Sequence, residues 1–252
     1  MSQRAETIER SAAPAADDGR GLRVGLSPYL FRSMVVGMAA TAIVLHRATG
    51  GRARPWRFAK ACGRMVARLL GVRVRVLGLE HVAAGGPFVF TPNHQSHLDI
   101  VVLLGHLPGE TRFAAKQELW RHPVMATAMD SLGMLPIDRQ HPERAIEVLN
   151  RAAADGSSFV IFPEGTRSRS GALLPFEKGA FVLALRMGLP VVPVVCRGTR
   201  RLMPKGGRLT VVPGDVEIVI GEPIPTAGLA YDDRDALSAR VREAIERHHT
   251  GW

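Results

Sequence analysis

A chain of 252 residues suits one large domain with an appendage and is long enough to bury a substantial core. With 46% hydrophobic and 22% charged residues it has a globular composition, which excludes a wholly disordered chain. The mean hydropathy of +0.05 is too low for a polytopic membrane protein, and 2 cysteines exclude a disulfide scaffold. Cys62 and Cys196 lie in apolar surroundings and read as small core residues.

The net charge of +10 is not spread evenly. Between Gly19 and Leu79 there are 12 Lys and Arg and no acid, so the remainder carries 21 basic and 23 acidic residues. So one-sided a charge calls for a polyanionic partner, either anionic lipid or nucleic acid. No recognised nucleic-acid module or aromatic interleaving accompanies it, which leaves the lipid surface.

In chain order, residues 1–25 are polar and Ala-rich and read as a disordered tail without a secretory signal. Residues 26–71 read as a pair of membrane-associated helices. Ser33–His46 is apolar and free of formal charge at neutral pH, but extending it to spanning length takes in Arg32. An interfacial or half-inserted helix fits better than a full span. Pro55–Leu70 reads as a second helix. Arg57, Lys60, Arg64 and Arg68 are expected on one face, and Phe58, Cys62, Met65 and Leu69 on another, an arrangement that suits an anionic membrane surface. The basic residues favour the cytoplasmic side. The plainer alternative is a core-packed helix with a solvated basic face.

Residues 72–252 read as one α/β domain. Strands are expected at Val72–Leu77, Pro87–Thr91, Thr111–Ala115, Ser158–Phe162 and Val191–Cys196. Leu209–Val212 and Val216–Ile220 read as a strand pair turning at Pro213-Gly214. Helices are expected at Ile100–Leu104, Arg144–Ala154, Gly179–Met187 (closed by Gly188) and Arg234–Arg247. The alternation gives a mostly parallel sheet flanked by helices.

Two polar clusters follow expected buried strands, where open α/β sheets place ligands. The first is Asn93-His94-Gln95-Ser96-His97-Leu98-Asp99. A turn opening a helix can bring Asp99 to His94, fix the imidazole tautomer and leave the other ring nitrogen free to take a proton from a hydroxyl. His94, His97 and Asp99 are also a candidate metal set, though no further His or Cys cluster supports it. Ser96 is a candidate nucleophile without the strained Gly-x-Ser-x-Gly setting. A helix cap with surface histidines is the remaining alternative. The second cluster is Phe162-Pro163-Glu164-Gly165-Thr166-Arg167-Ser168. Gly165 permits close backbone approach, Arg167 offers a planar fork suited to phosphate, and Thr166 adds a hydroxyl. Glu164 is a candidate to hold Arg167 or to contact a polyol. Lys116, Arg139 and Lys178 are further cationic candidates.

Together these residues resemble the glycerolipid acyltransferases, in particular bacterial 1-acyl-sn-glycerol-3-phosphate acyltransferases. Asn93, His94 and Asp99 match that family's Asn-His-x4-Asp block. Ala115-Lys116-Gln117-Glu118-Leu119 and Gly133 to Asp138-Arg139 look like its second block. Phe162 to Ser168 matches the third without change, and Leu189 to Val194 looks like the fourth. The Pro-x-Phe-Gly usual after the second block reads Pro123-Val124-Met125-Ala126 here, so a different local turn is expected.

The resemblance implies acyl transfer from acyl-CoA or acyl carrier protein to the free hydroxyl of lysophosphatidic acid, giving phosphatidic acid. No cofactor or metal is implied. His94 would act as general base and Asp99 would orient it; Lys116, Arg139, Glu164, Gly165, Thr166 and Arg167 would bind substrate. It also implies a membrane-docking N-terminal helix pair and a peripheral or monotopic location on the cytoplasmic side of the cell inner membrane. The same chemistry on another lysophospholipid or on lyso-ornithine lipid, a hydrolase, and a non-catalytic lipid-binding protein are the alternatives.

Overall fold

The computed structural model describes residues 28–50, 53–138, 152, 156–206 and 211–249. Seven strands form one sheet in the order β1-β7-β6-β2-β5-β3-β4. They are β1 (Val72–Leu77), β2 (Val89–Pro92), β3 (Thr111–Lys116), β4 (Leu135–Ile137), β5 (Ser158–Val160), β6 (Val191–Arg197) and β7 (Gly214–Ile220). All neighbours run parallel except β6 and β7. The central β2 and β5 are buried along their whole length, as β6 is up to Cys196, which is why their sequences are apolar without alternation. On the edge strand β1 the arginines face outward, and Arg73 grips Asp215 of β7 through two bonds of 2.7 and 2.8 Å.

The expected pairing of residues 209–212 with 216–220 is corrected by β7. Leu209 and Thr210 lie outside the described residues, and β7 inserts between β1 and β6. The local turn signal at Pro213-Gly214 suggested a hairpin, but β7 takes the preceding strand β6 as its antiparallel partner and the distant β1 as its parallel one. A Cβ at Gly214 would sit 2.7 Å from Leu202 Cδ2, so a larger residue there would have to push that side chain aside.

Helices cover both faces. On one, α2 (Ala53–Leu69) and α3 (Leu98–His106) bury Trp56, Val66, Val102 and Leu103 in a cluster with Phe90, Val192, Val194 and Ile218. On the other, α5 (Gly179–Met187) and α7 (Arg234–His249) bury Phe181, Leu183, Val241 and Ile245 with Val89, Phe159 and Val191. α4 (Pro123–Ser131) and the short α6 (Thr199–Leu202) complete the set. The departure at Pro123 to Ala126 is the opening turn of α4, with Pro123 in its first helical turn. The helix expected at 144–154 lies outside the described residues apart from Ala152, which is buried. Residues 1–25 also lie outside.

The N-terminal helix α1 (Pro28–Thr49) packs on α2 and α4. Among the described residues, no helix is long and apolar enough to cross a membrane. α2 shares its core cluster with the sheet, so the core runs across residue 71 without a break. α2 and α3 cross with their backbones in contact, since a Cβ at Gly63 would lie 3.0 Å from Gly105 N and from Val101 O. This crossing redistributes the basic face expected of α2. Lys60 donates to the carbonyls of Leu107 and Gly109, and Arg64 to that of Gly105, so both satisfy the electronegative end of α3. Cys62 is buried, while Arg57, Met65, Arg68 and Leu69 face outward.

Candidate active site

His94 follows directly on β2, two residues after its last position. Asn93 continues the strand with its side chain, whose amide exchanges two hydrogen bonds with the Cys196 backbone. The chain then turns, and Asp99 enters the first turn of α3. Asp99 is fully buried, and one oxygen, Oδ2, meets His94 Nδ1 at 2.8 Å. The same oxygen accepts from the backbone amides of Gln95 at 2.7 Å and Ser96 at 2.8 Å. Backbone amides can only donate, so Oδ2 acts as an acceptor and Nδ1 carries the proton. Nε2 is thereby left as the basic atom. Ser96 is not placed as a nucleophile: its buried hydroxyl donates to Met203 O and accepts from Leu98 N. Among the described residues no group of His, Cys, Asp and Glu is arranged to hold a metal.

The second cluster clamps the first. Phe162 stacks on the His94 ring with centroids 3.9 Å apart. Glu164 Oε1 accepts from His94 N at 2.7 Å, and Ser168 N donates to His94 O at 2.7 Å. Both peptide groups of the base are therefore fixed by one turn. The second oxygen of Glu164 accepts from Leu174 N at 2.9 Å. Glu164 is buried, and that burial pushes its pKa up against the opposing pull of the two amide bonds. The turn closes by Gly165 N donating to Phe162 O, with Gly165 at φ 62°, in the left-handed region that favours glycine.

His94, Lys116, Gly165, Thr166 and Arg167 line one cleft of about 560 Å³. Most of the remaining wall is apolar, including Phe58 of α2, Ile100 of α3, Met125 and Met129 of α4, and Met134. Ala42 of α1 closes part of it. Glu164 does not line the cleft; its carboxylate is occupied by backbone donors. Arg139 lies outside the described residues. Lys178 pairs with Asp235 at 3.0 Å, beside α7 and away from the cleft. His97 lines the cleft; desolvation first, then Arg167 and His94, lowers its pKa, with Asp99 opposing.

Two participants had no sequence signal. Lys205 donates to Arg167 O at 2.6 Å and so steadies the turn, from a position 38 residues further along the chain. Gln95 reaches behind the dyad, where its Nε2 donates to Gly171 O and lies 2.9 Å from His249 Nε2.

The α/β fold thus sets a loop-borne base at the polar end of an apolar cleft. A family model described as Acyltransferase matches residues 73–197. The chain is 40% identical over 153 residues to the chloroplastic 1-acyl-sn-glycerol-3-phosphate acyltransferase BAT2 of Brassica napus, covering 59% of this chain and 44% of that protein. It is 32% identical over 223 residues to the 1-acyl-sn-glycerol-3-phosphate acyltransferase of Cocos nucifera, covering 83% of this chain and 71% of that one. The crystal structure of the 1-acyl-sn-glycerophosphate acyltransferase PlsC from Thermotoga maritima superposes with a TM-score of 0.74 at 27% identity, covering 89% of this chain and 94% of that one. The chain thus belongs to the glycerolipid acyltransferase family. It spans less than half the length of the Brassica relative.

Proposed function

We propose that this protein transfers a fatty acyl group from a thioester donor, acyl-CoA or acyl carrier protein, to the free hydroxyl of lysophosphatidic acid. The observation that carries the reading is the His94–Asp99 dyad, which borders both a cationic corner and an apolar cleft. The names of the relatives support the same acceptor.

His94 Nε2 removes the hydroxyl proton as the acceptor oxygen attacks the thioester carbonyl carbon. When the tetrahedral intermediate collapses, the carbon–sulfur bond breaks and the imidazolium returns its proton to the leaving sulfur. The acceptor is itself the nucleophile, so no covalent acyl-enzyme forms and no cofactor is needed. Asp99 holds the tautomer and compensates the imidazolium charge. Lys116 and Arg167 take the acceptor phosphate, Arg167 through its planar fork, while Gly165 and Thr166 border the glycerol. Glu164 contributes by holding the His94 amide. The methionines of the cleft offer adaptable walls to acyl chains.

The protein lies on the cytoplasmic face of the inner membrane as a peripheral or monotopic enzyme. Support comes from the acid-free basic stretch between Gly19 and Leu79, from the exposed apolar side chains Val44 of α1 and Met65 and Leu69 of α2, and from the exposed Arg57 and Arg68 of α2. The test combines purified protein, acyl donor and a panel of lysophosphatidic acid, other lysophospholipids, lyso-ornithine lipid and no acceptor. Thiol release and lipid products are followed together. Phosphatidic acid should form with lysophosphatidic acid, and His94→Ala should lower turnover by about 10²–10⁴-fold. Near-normal turnover in that variant refutes the base assignment, and product only with another acceptor replaces the substrate.

A further inference from the structure

On the other flank of the loop that carries Arg167 lies a second pocket, also about 560 Å³. It opens where β6 ends. Arg197, Arg200, Arg201 and His249 line it together with Gln95 and Gly171, and no acid does. Arg197 is already balanced, since it pairs with Glu217 at 2.6 Å and donates to His248 O, so it forms wall. Arg200 and Arg201 are exposed on α6. Asp215 is held by Arg73 through both carboxylate oxygens and interacts with Arg201 as well, so Arg200 is the arginine that leads the pocket.

Two glycines shape this pocket. A Cβ at Gly171 would lie 2.8 Å from Arg200 Nε and 3.1 Å from its Cζ, so the missing side chain is what lets the guanidinium lie against the loop. A Cβ at Gly198 would lie 2.4 Å from Asp215 O, so glycine is required at the turn that launches α6. The pocket also touches the catalytic loop through one residue. Gln95 gives its backbone amide to Asp99 and its side chain to Gly171 O and His249.

Arginine forks in a concave, acid-free pocket match phosphate groups. A pocket of this volume suits a small phosphorylated molecule better than the face of a protein. The cleft reaches Arg167 and the second pocket begins at Ser170, three residues on. Three residues span at most about 10 Å of chain. A molecule crossing that ridge needs a reactive end at His94, a flexible arm and a phosphorylated far end.

We propose that this pocket seats the phosphates at the nucleotide end of a coenzyme A thioester donor. The inference rests on the acyl-transfer reading and names the donor that reading leaves open.

The test compares palmitoyl-CoA with S-palmitoyl-pantetheine, which keeps the thioester and lacks the nucleotide. The full chain is used, with Arg200→Ala and the double variant Arg200→Ala/Arg201→Ala, both at exposed positions. KM for palmitoyl-CoA should rise about tenfold or more, with kcat and the pantetheine KM unchanged. Arg200→Lys should recover part of the loss. Adenosine 3′,5′-bisphosphate should compete with palmitoyl-CoA in the unaltered protein and lose potency in the variants. An unchanged palmitoyl-CoA KM overturns the inference, as does inorganic phosphate competing as well as the bisphosphate. Turnover only with acyl carrier protein also overturns it, yet leaves acyl transfer standing. If no donor turns over, the acyl-transfer reading fails, and calorimetric titration of the bisphosphate into each variant still decides the pocket.

Discussion

Glu164→Gln separates two roles for one side chain. Sequence resemblance makes Glu164 a substrate contact, whereas the structure gives both its oxygens to half-buried backbone amides, His94 N at 2.7 Å and Leu174 N at 2.9 Å. Glutamine keeps one acceptor and turns an NH2 donor toward the other amide. Leaving a donor unsatisfied costs about 1–3 kcal/mol when it is fully buried, and less for a half-buried one. Removing a carboxylate whose pKa burial has raised returns part of that cost, so the net loss falls at the lower end of this range. At this chain length each kcal/mol lowers Tm by about 2–4 °C, so a drop of a few degrees is expected. The larger effect is on rate. The amide of His94 loses its anchor, and displacement of a reacting group by about 1 Å costs on the order of 10²-fold. Initial rates of thiol release against acceptor concentration should show kcat down roughly ten- to hundredfold with acceptor KM nearly unchanged. A normal kcat and Tm with a raised acceptor KM would refute the positioning role and restore the substrate contact.

Three further outcomes are expected. Gly105→Ala sets a Cβ 3.0 Å from Arg64 N and should force α2 and α3 apart, lowering stability by about 1–3 kcal/mol in urea titrations; an unchanged midpoint would show that the crossing is loose. Met65→Asp/Leu69→Asp should weaken flotation with anionic vesicles while activity on detergent-dispersed substrate persists, and unchanged flotation would remove these residues from the docking face. The third concerns pH. Burial lowers the His106 pKa; its bond to Val102 O opposes this, and Arg64, Arg68 and Lys60 add to it. Because the folded pKa lies below the unfolded one, the unfolded chain binds the proton first, and His106 subtracts stability as pH falls through about 6.5. Melting curves of His106→Gln should therefore show a shallower acid decline than the unaltered protein; identical slopes would contradict the assignment.

The sequence was most informative where the physics is local. β1 alternates valine and arginine because it lies at an edge, and α5 ends at Gly188, whose φ of 62° closes the helix as expected. The dyad was legible because its two members sit within one seven-residue loop. The pairing of β7 was not, since its parallel partner β1 lies at the far end of the domain sequence and its antiparallel partner β6 is reached across the intervening α6. Nor was the service of Lys60 and Arg64 to the α3 carbonyls, which depends on two glycines meeting across helices 42 residues apart in sequence. The role of Glu164 was hidden for a related reason: its partners are amides, which leave no mark on side-chain pattern.

The clamp on His94 divides the molecule into an engine and a housing. Base, orienter and clamp come from residues 93–99 and 162–168, all seated on the sheet. The apolar walls of the cleft are drawn from many segments, among them Ala42 of α1, Phe58 of α2, Met125 and Met129 of α4, and the β3 and β4 strands. The housing can be recut without disturbing the engine. Chimeras that exchange α1 and α4 between members of this family should change which tails are accepted while the proton-transfer apparatus passes through intact.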